Sequence, residues 1–167
     1  MKKEINLILW VFLSLLLLNF QPRNAQGGES PFTSSTWSRG GLEVADSKKV
    51  MVLVDDLNEQ AKKIGLQAGK IKTQCESRLK QAGLEASSYK PENLNINVNV
   101  IRYAFTIAVE FHRPVLFEVG EAWYKKRAVT WCTGVTGTHK GNPEYILQAL
   151  DGLLDQFLKE YLEANLR

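Results

Sequence analysis

Cysteine and histidine are scarce in this chain: among its 167 residues only Cys75, Cys132, His112 and His139 represent them. No two of the four stand at the close spacing of a metal-ligand pair, so neither a zinc centre nor any other cofactor is expected. A nucleophile accompanied by an orienting base and an oxyanion donor set is also missing, which argues against an enzyme. Charge of one sign is not in excess either. Of the formal +3, Lys2, Lys3 and Arg23 against Glu4 supply +2, leaving +1 for the rest. A near-neutral body is not the footprint of a nucleic-acid binder. There is no internal repeat and no low-complexity segment. The longest apolar run, Ile5 to Phe20, reaches roughly 24 Å at about 1.5 Å per helical residue, short of a ~30 Å hydrocarbon core.

That short run explains itself by its surroundings. Lys2 and Lys3 precede it, Pro22 follows it, and Ala25-Gln26-Gly27 closes the segment. Basic, apolar and small residues in this order make a secretory signal peptide, cleaved after Gly27. The run ends without a cysteine, so a lipoprotein anchor has no attachment atom, and membrane contact is expected only through residues 1–27 before cleavage. Residues 28–47 are rich in Gly, Ser and Thr without apolar period and read as a flexible leader, with Trp37 as its lone aromatic. Residues 48–167 then form one domain in a periplasmic or secreted setting.

Within the domain the clearest signal lies between Asn93 and Arg113. Leu94, Ile96, Val98 and Val100 alternate with asparagines, and Phe105, Ile107, Val109 and Phe111 alternate in turn. Two such runs are neighbouring strands of a half-buried antiparallel sheet. Val50–Val54 reads as a buried strand, and Arg127–Thr133 as another. Pro114 makes Val115–Val119 either a continuation past a bulge or a separate edge strand. Ala68, Ile71, Cys75, Leu79 and Ala82 mark one face of a helix from about Gln67, with Gly83 as its left-handed stop. The last helix follows Asn142, Pro143 and Glu144, a cap, a first-turn proline and a dipole-complementing acid. Its apolar face is Ile146, Leu147, Leu150, Leu153, Leu154, Phe157 and Tyr161. The fold class is therefore α+β: a two-layer sandwich, with an antiparallel-rich sheet of four to five strands and two long helices on one face.

The residues that can carry chemistry are few. Cys75 lies on a helix core face and Cys132 on a strand. If that helix packs over that strand a disulfide between them is within reach; otherwise they are two free thiols acting as small hydrophobes. Gly134 to Gly141, ahead of the last helix, reads as a loop in which backbone N–H groups, His139 and Lys140 can converge on a small anion. It lacks the Gly-Lys-Ser/Thr ending of a Walker loop. Lys125-Lys126-Arg127 reads as a basic strand-end turn.

Several pieces together resemble a widespread family of small exported bacterial proteins without known activity. They are Gly65-Leu66, Leu79 with Ala82-Gly83, Leu94-Asn95-Ile96-Asn97-Val98 and Tyr103-Ala104-Phe105, then Thr130-Trp131, Asp155-Gln156-Phe157, Tyr161-Leu162 and Asn165. They run from about Val50 to Asn165 and are mostly core and capping positions. The resemblance implies the fold and gives no catalytic residue to carry over. Two functional expectations follow from the sequence. The first is a non-catalytic binding or accessory module of the cell envelope, presenting Asn95, Asn97, Asn99, Thr106 and Glu110 to a protein partner. The second is an anionic-ligand carrier or enzyme using the Gly134–Gly141 loop.

Overall fold

A computed structural model gives the structure of residues 41–165. The signal segment 1–27 and Trp37 lie outside the described residues. The order along the chain is β1 (Lys49–Val54), α1 (Glu59–Lys63), α2 (Ala68–Gln81) and β2 (Glu85–Ser87). Then come β3 (Asn93–Ile101), β4 (Ala104–Val119), β5 (Ala122–Thr138) and α3 (Glu144–Asn165). The strands make one sheet in the order β2-β1-β3-β4-β5. β1 runs parallel to both β2 and β3, whereas β3–β4 and β4–β5 are antiparallel. This is the expected α+β sandwich with a mostly antiparallel sheet.

Alternation sorts the side chains of each strand between two faces. Val50 and Val52, Leu94 to Val100 at even positions, and Phe105 to Phe111 at odd positions all point to one side and are buried. α2 covers that side over β1 and β2, and α3 covers it over β4 and β5. α2 buries Ile71, Cys75 and Leu79. α3 buries Ile146, Leu150, Leu153, Leu154, Phe157, Leu158 and Tyr161. Each large side chain of this kind contributes about 1.5–3 kcal/mol of transfer free energy, so α3 is the largest single source of core burial. The two helices meet along a polar seam. Gln74 donates to Asp151 Oδ1 at 2.8 Å and to the Leu147 carbonyl at 3.3 Å, and Arg78 pairs with Asp155.

The helix ends obey local chemistry. Asn58 Oδ1 accepts from Ala61 N at 2.9 Å to cap α1, and Asn142 Oδ1 accepts from Glu144 N at 2.9 Å ahead of α3. Gly83, at φ +81°, supplies the left-handed residue after α2.

One boundary moves. Residues 41–47 were expected within the leader, yet Leu42 is 1% exposed and belongs to the core. Asn165, at the end of α3, donates to the Leu42 carbonyl at 2.9 Å and accepts from Val44 N at 3.0 Å. Thr130 Oγ1 donates to the Gly41 carbonyl at 2.6 Å, so the domain begins at or before Gly41. A β-carbon at Gly41 would lie 1.9 Å from the Thr130 carbonyl oxygen, so glycine is required there. Leu42 and Val44 are too short an apolar pattern, in a stretch otherwise polar, to mark a packed segment in the sequence.

Pro114 is a continuation and not a break. β4 runs through it, with the bulge just before, where Phe111 faces Trp131 but His112 faces Val129 and Thr130 is the extra residue. The two-residue turn at Gly120-Glu121 makes Val119–Ala122 a hydrogen-bonded pair, and alternation back from it puts Pro114 in a non-bonded pair. Its missing N–H therefore removes no bond to β5.

Candidate functional site

β3 places its asparagines on the side that neither long helix covers. The register sets Asn95 beside Glu110, Asn97 beside Ala108 and Asn99 beside Thr106. The five residues expected on one open face do share it. The row is also held in place. Asp55, just past β1, accepts from Asn97 Nδ2 at 2.8 Å and from Asn95 Nδ2 at 3.3 Å. Asn58 donates to Asn99 Oδ1 and, at 2.8 Å, to the Val100 carbonyl, satisfying β3 where β1 no longer runs beside it. Asn97 and Thr106 are exposed and Asn95, Asn99 and Glu110 half-buried. Amide donors and acceptors fixed by neighbours need little ordering when a partner arrives, which lowers the entropic cost of binding.

Glu110 and His112 lie on the same face, with His112 Nε2 and Glu110 Oε2 2.9 Å apart. Cys132 stands opposite Glu110. Burial and then the Glu110 carboxylate push the Cys132 thiol up, the wrong direction for a nucleophile. Among the described residues no group of three or more His, Cys, Asp or Glu is placed to hold a metal ion.

The disulfide reading is corrected by strand alternation. Trp131 and Thr133 are buried toward the helices, so Cys132 between them points to the opposite face. Cys75 lies under α2, on the helix side of the sheet, and is fully buried. The sheet separates the two sulfurs, and both are free thiols. Burial, then the Asp151 charge, pushes the Cys75 thiol up to about 12.

The anion-loop reading is corrected as well. Gly134 to Thr138 is not loop but the end of β5. Its glycines serve close backbone approach. A β-carbon at Gly134 would stand 2.8 Å from the Ile107 carbonyl oxygen, and one at Gly137 2.8 Å from the Phe105 ring. His139 is 1% exposed and occupied at both nitrogens. Gly141 N donates to Nδ1 at 3.0 Å, so Nε2 carries the proton and donates to the Arg102 carbonyl at 2.7 Å. The ring thus ties the β5–α3 turn to the β3–β4 turn, where Arg102 sits at φ +52°. Lys140 is exposed at φ +47° and faces solvent. His139 and Lys140 are adjacent in sequence but do not converge on one site.

The surface that sequence reading missed is the far half of the β4–β5 hairpin. Beyond the bulge, Pro114–Val119 and Ala122–Arg127 pair, among the described residues, only with each other. This arm exposes Leu116 (66%), Trp123 (66%) and Val119 (58%), while Phe117 stacks on Tyr124 at 5.7 Å. Lys125-Lys126-Arg127 lies within β5 of the arm, not at a strand-end turn. The Gly120-Glu121 step, glycine at φ +63° between apolar strands, was the available signal.

Comparison with protein-family models, with curated proteins and with solved structures finds no match for this chain.

Proposed function

We propose that this chain is an exported, non-catalytic binding module of the cell envelope, and that a protein partner docks on the helix-free sheet face. The observation that carries the reading is the asparagine row of β3, held by Asp55 and Asn58 and left open to solvent at Asn97 and Thr106. A hydrogen-bonding surface of this kind, amides beside the Asp55 and Glu110 carboxylates, suits the polar part of a protein interface, where direct bonds run at about one per 100–200 Å². The residue order of 1–27 supports export.

Two measurements test the two halves. N-terminal sequencing of the chain recovered from the envelope fraction should begin at Gly28; a product that keeps Met1 and stays in the cytoplasm overturns export. Affinity capture from envelope extract should retain a reproducible partner that Asn97→Arg with Thr106→Arg loses, while the circular dichroism of the variant is unchanged. Capture that is empty, or the same with both forms, overturns the docking face.

A further inference from the structure

The arm poses a physical problem that the body does not. Pro114, Leu116 and Glu118 of β4 pair with Arg127, Lys125 and Trp123 of β5, and partners across a ladder share a face. That face continues the helix-free side of the sheet, through His112 and Val129. Leu116 and Trp123 are both two-thirds exposed on it. On the opposite face Phe117 and Tyr124 cover one another by stacking, and the root is packed by Gly41, whose carbonyl accepts from Arg113 at 3.3 Å. Exposed apolar side chains lie on both faces of the arm, Val119 among them on the stacked side, but among the described residues of the arm only the helix-free face carries charges of both signs.

Its charges are arranged along the arm. From body to tip the helix-free face reads Pro114 with Arg127, then Leu116 with Lys125, then Glu118 with Trp123. The root is basic and the tip acidic, with the large apolar side chains between and beside them. Such a polarity is complementary to itself when reversed. A two-fold axis through the Leu116 level, lying in the interface across the strands, stacks β4 on β4 and β5 on β5 in opposite directions. Leu116 then meets its own copy, and Trp123 lies over the partner's Arg127. Glu118, one strand spacing of ~4.8 Å to the side, reaches the same guanidinium. A guanidinium between an indole face and a carboxylate is favourable on both counts. Lys125, at the same level, meets its own copy too, but on the outer strand the two stems can turn their ammonium groups apart into water.

We propose that two copies of this chain associate through their arms, helix-free face to helix-free face and antiparallel, held by the Trp123–Arg127 and Glu118–Arg127 contacts. A single lipid or protein surface would meet an acidic tip first, whereas a second copy presents a basic root to it. The association stands apart from the partner surface proposed above, because Asn97 and Thr106 lie in the body and are left unchanged by the variants below.

Sedimentation equilibrium of the purified chain is expected to show a reversible monomer–dimer equilibrium. Glu118→Arg and Arg127→Glu, both at exposed positions, should each weaken it by at least about tenfold, since each sets like charges against one another. Mixed in equal amounts, the two variants should recover the dimer, because in the heterodimer the introduced arginine faces the introduced glutamate while the native Glu118 of one copy faces the native Arg127 of the other. Trp123→Ala should weaken association without any such rescue. A wild-type chain that stays monomeric at millimolar concentration overturns the proposal. So does a dimer indifferent to both reversals, or a mixture that stays monomeric. Binding of monomers to phosphatidylglycerol vesicles through Trp123 would assign the arm to a lipid surface and overturn it as well.

Discussion

Phe157→Ala is the sharpest test of how the two layers are joined. Phe157 is fully buried in α3, and its ring lies 5.4 Å from Trp131, 5.8 Å from Phe111 and 5.3 Å from Tyr161. Trp131 and Phe111 belong to the sheet, so this ring bridges helix and sheet. Truncating a buried phenylalanine costs about 3–5 kcal/mol, and the lost aromatic pairs, each worth about 0.5–1.5 kcal/mol, place this site at the upper end. Trp131 also loses support for its bond to Glu160, where Nε1 donates at 2.7 Å. Against a total stability of ~5–15 kcal/mol the variant is expected to be marginal. In urea, with a slope of about 1–3 kcal/mol/M, the midpoint should fall by roughly 2 M. Glu163→Ala, on the exposed side of the same helix, should stay within about 0.5 kcal/mol of the parent. Equal midpoints for the two variants would falsify the packing of α3 on the sheet.

Further outcomes can be checked on the same protein. His139→Ala should lower stability by about 2–4 kcal/mol, because it strips partners from the Gly141 amide and the Arg102 carbonyl, whereas Lys140→Ala should be near neutral by the same denaturation assay. Alkylation of the native protein followed by mass spectrometry should mark Cys132 well before Cys75, which is fully buried and should label only on unfolding; equal rates would refute the placement. Burial and nearby acidic side chains push both the Cys75 thiol and the Tyr161 hydroxyl up to about 12, from ordinary values near 9.0 and 10.0. The unfolded chain then releases protons first, so the stability these groups contribute is fully present below about pH 9 and is lost as pH rises toward 12. Tyr161→Phe should flatten the upper part of that decline, and an unchanged profile would count against the assignment.

Legibility in the sequence tracked burial on one side. β3, the first half of β4 and α3 each have one apolar face, so their periods of 2 and 3.6 stand out. The arm has solvent on both sides, and its apolar residues fall on both, as Leu116 and Phe117 show; no period survives for a reader to find. β2, three residues long and exposed at Glu85 and Ala86, carries too little pattern to announce a parallel partner. Glycine in Gly134–Gly141 suggested a loop, but glycine also marks strands pressed against a neighbour, and only the register of β5 on β4 separates the two cases. Nothing in the residues around His139 signals that both of its nitrogens are committed to backbone. The asparagine row, by contrast, was legible as a shared face because alternation alone fixes it.

The clasp between Asn165 and the Leu42–Val44 backbone has a topological consequence. Two segments 121 residues apart in sequence are joined by a hydrogen bond of 3.0 Å, so the backbone of the domain is very nearly a closed ring. Joining a ring with a short peptide, and cutting it elsewhere, preserves every contact except those at the cut. The exposed turn at Gly120-Glu121 is the natural place to cut, since no core side chain depends on it. A circularly permuted chain beginning at Glu121 would carry β5 at its N-terminus and β4 at its C-terminus, turning the longest strand pair from a local hairpin into a pairing of the two chain ends while leaving the body's architecture untouched.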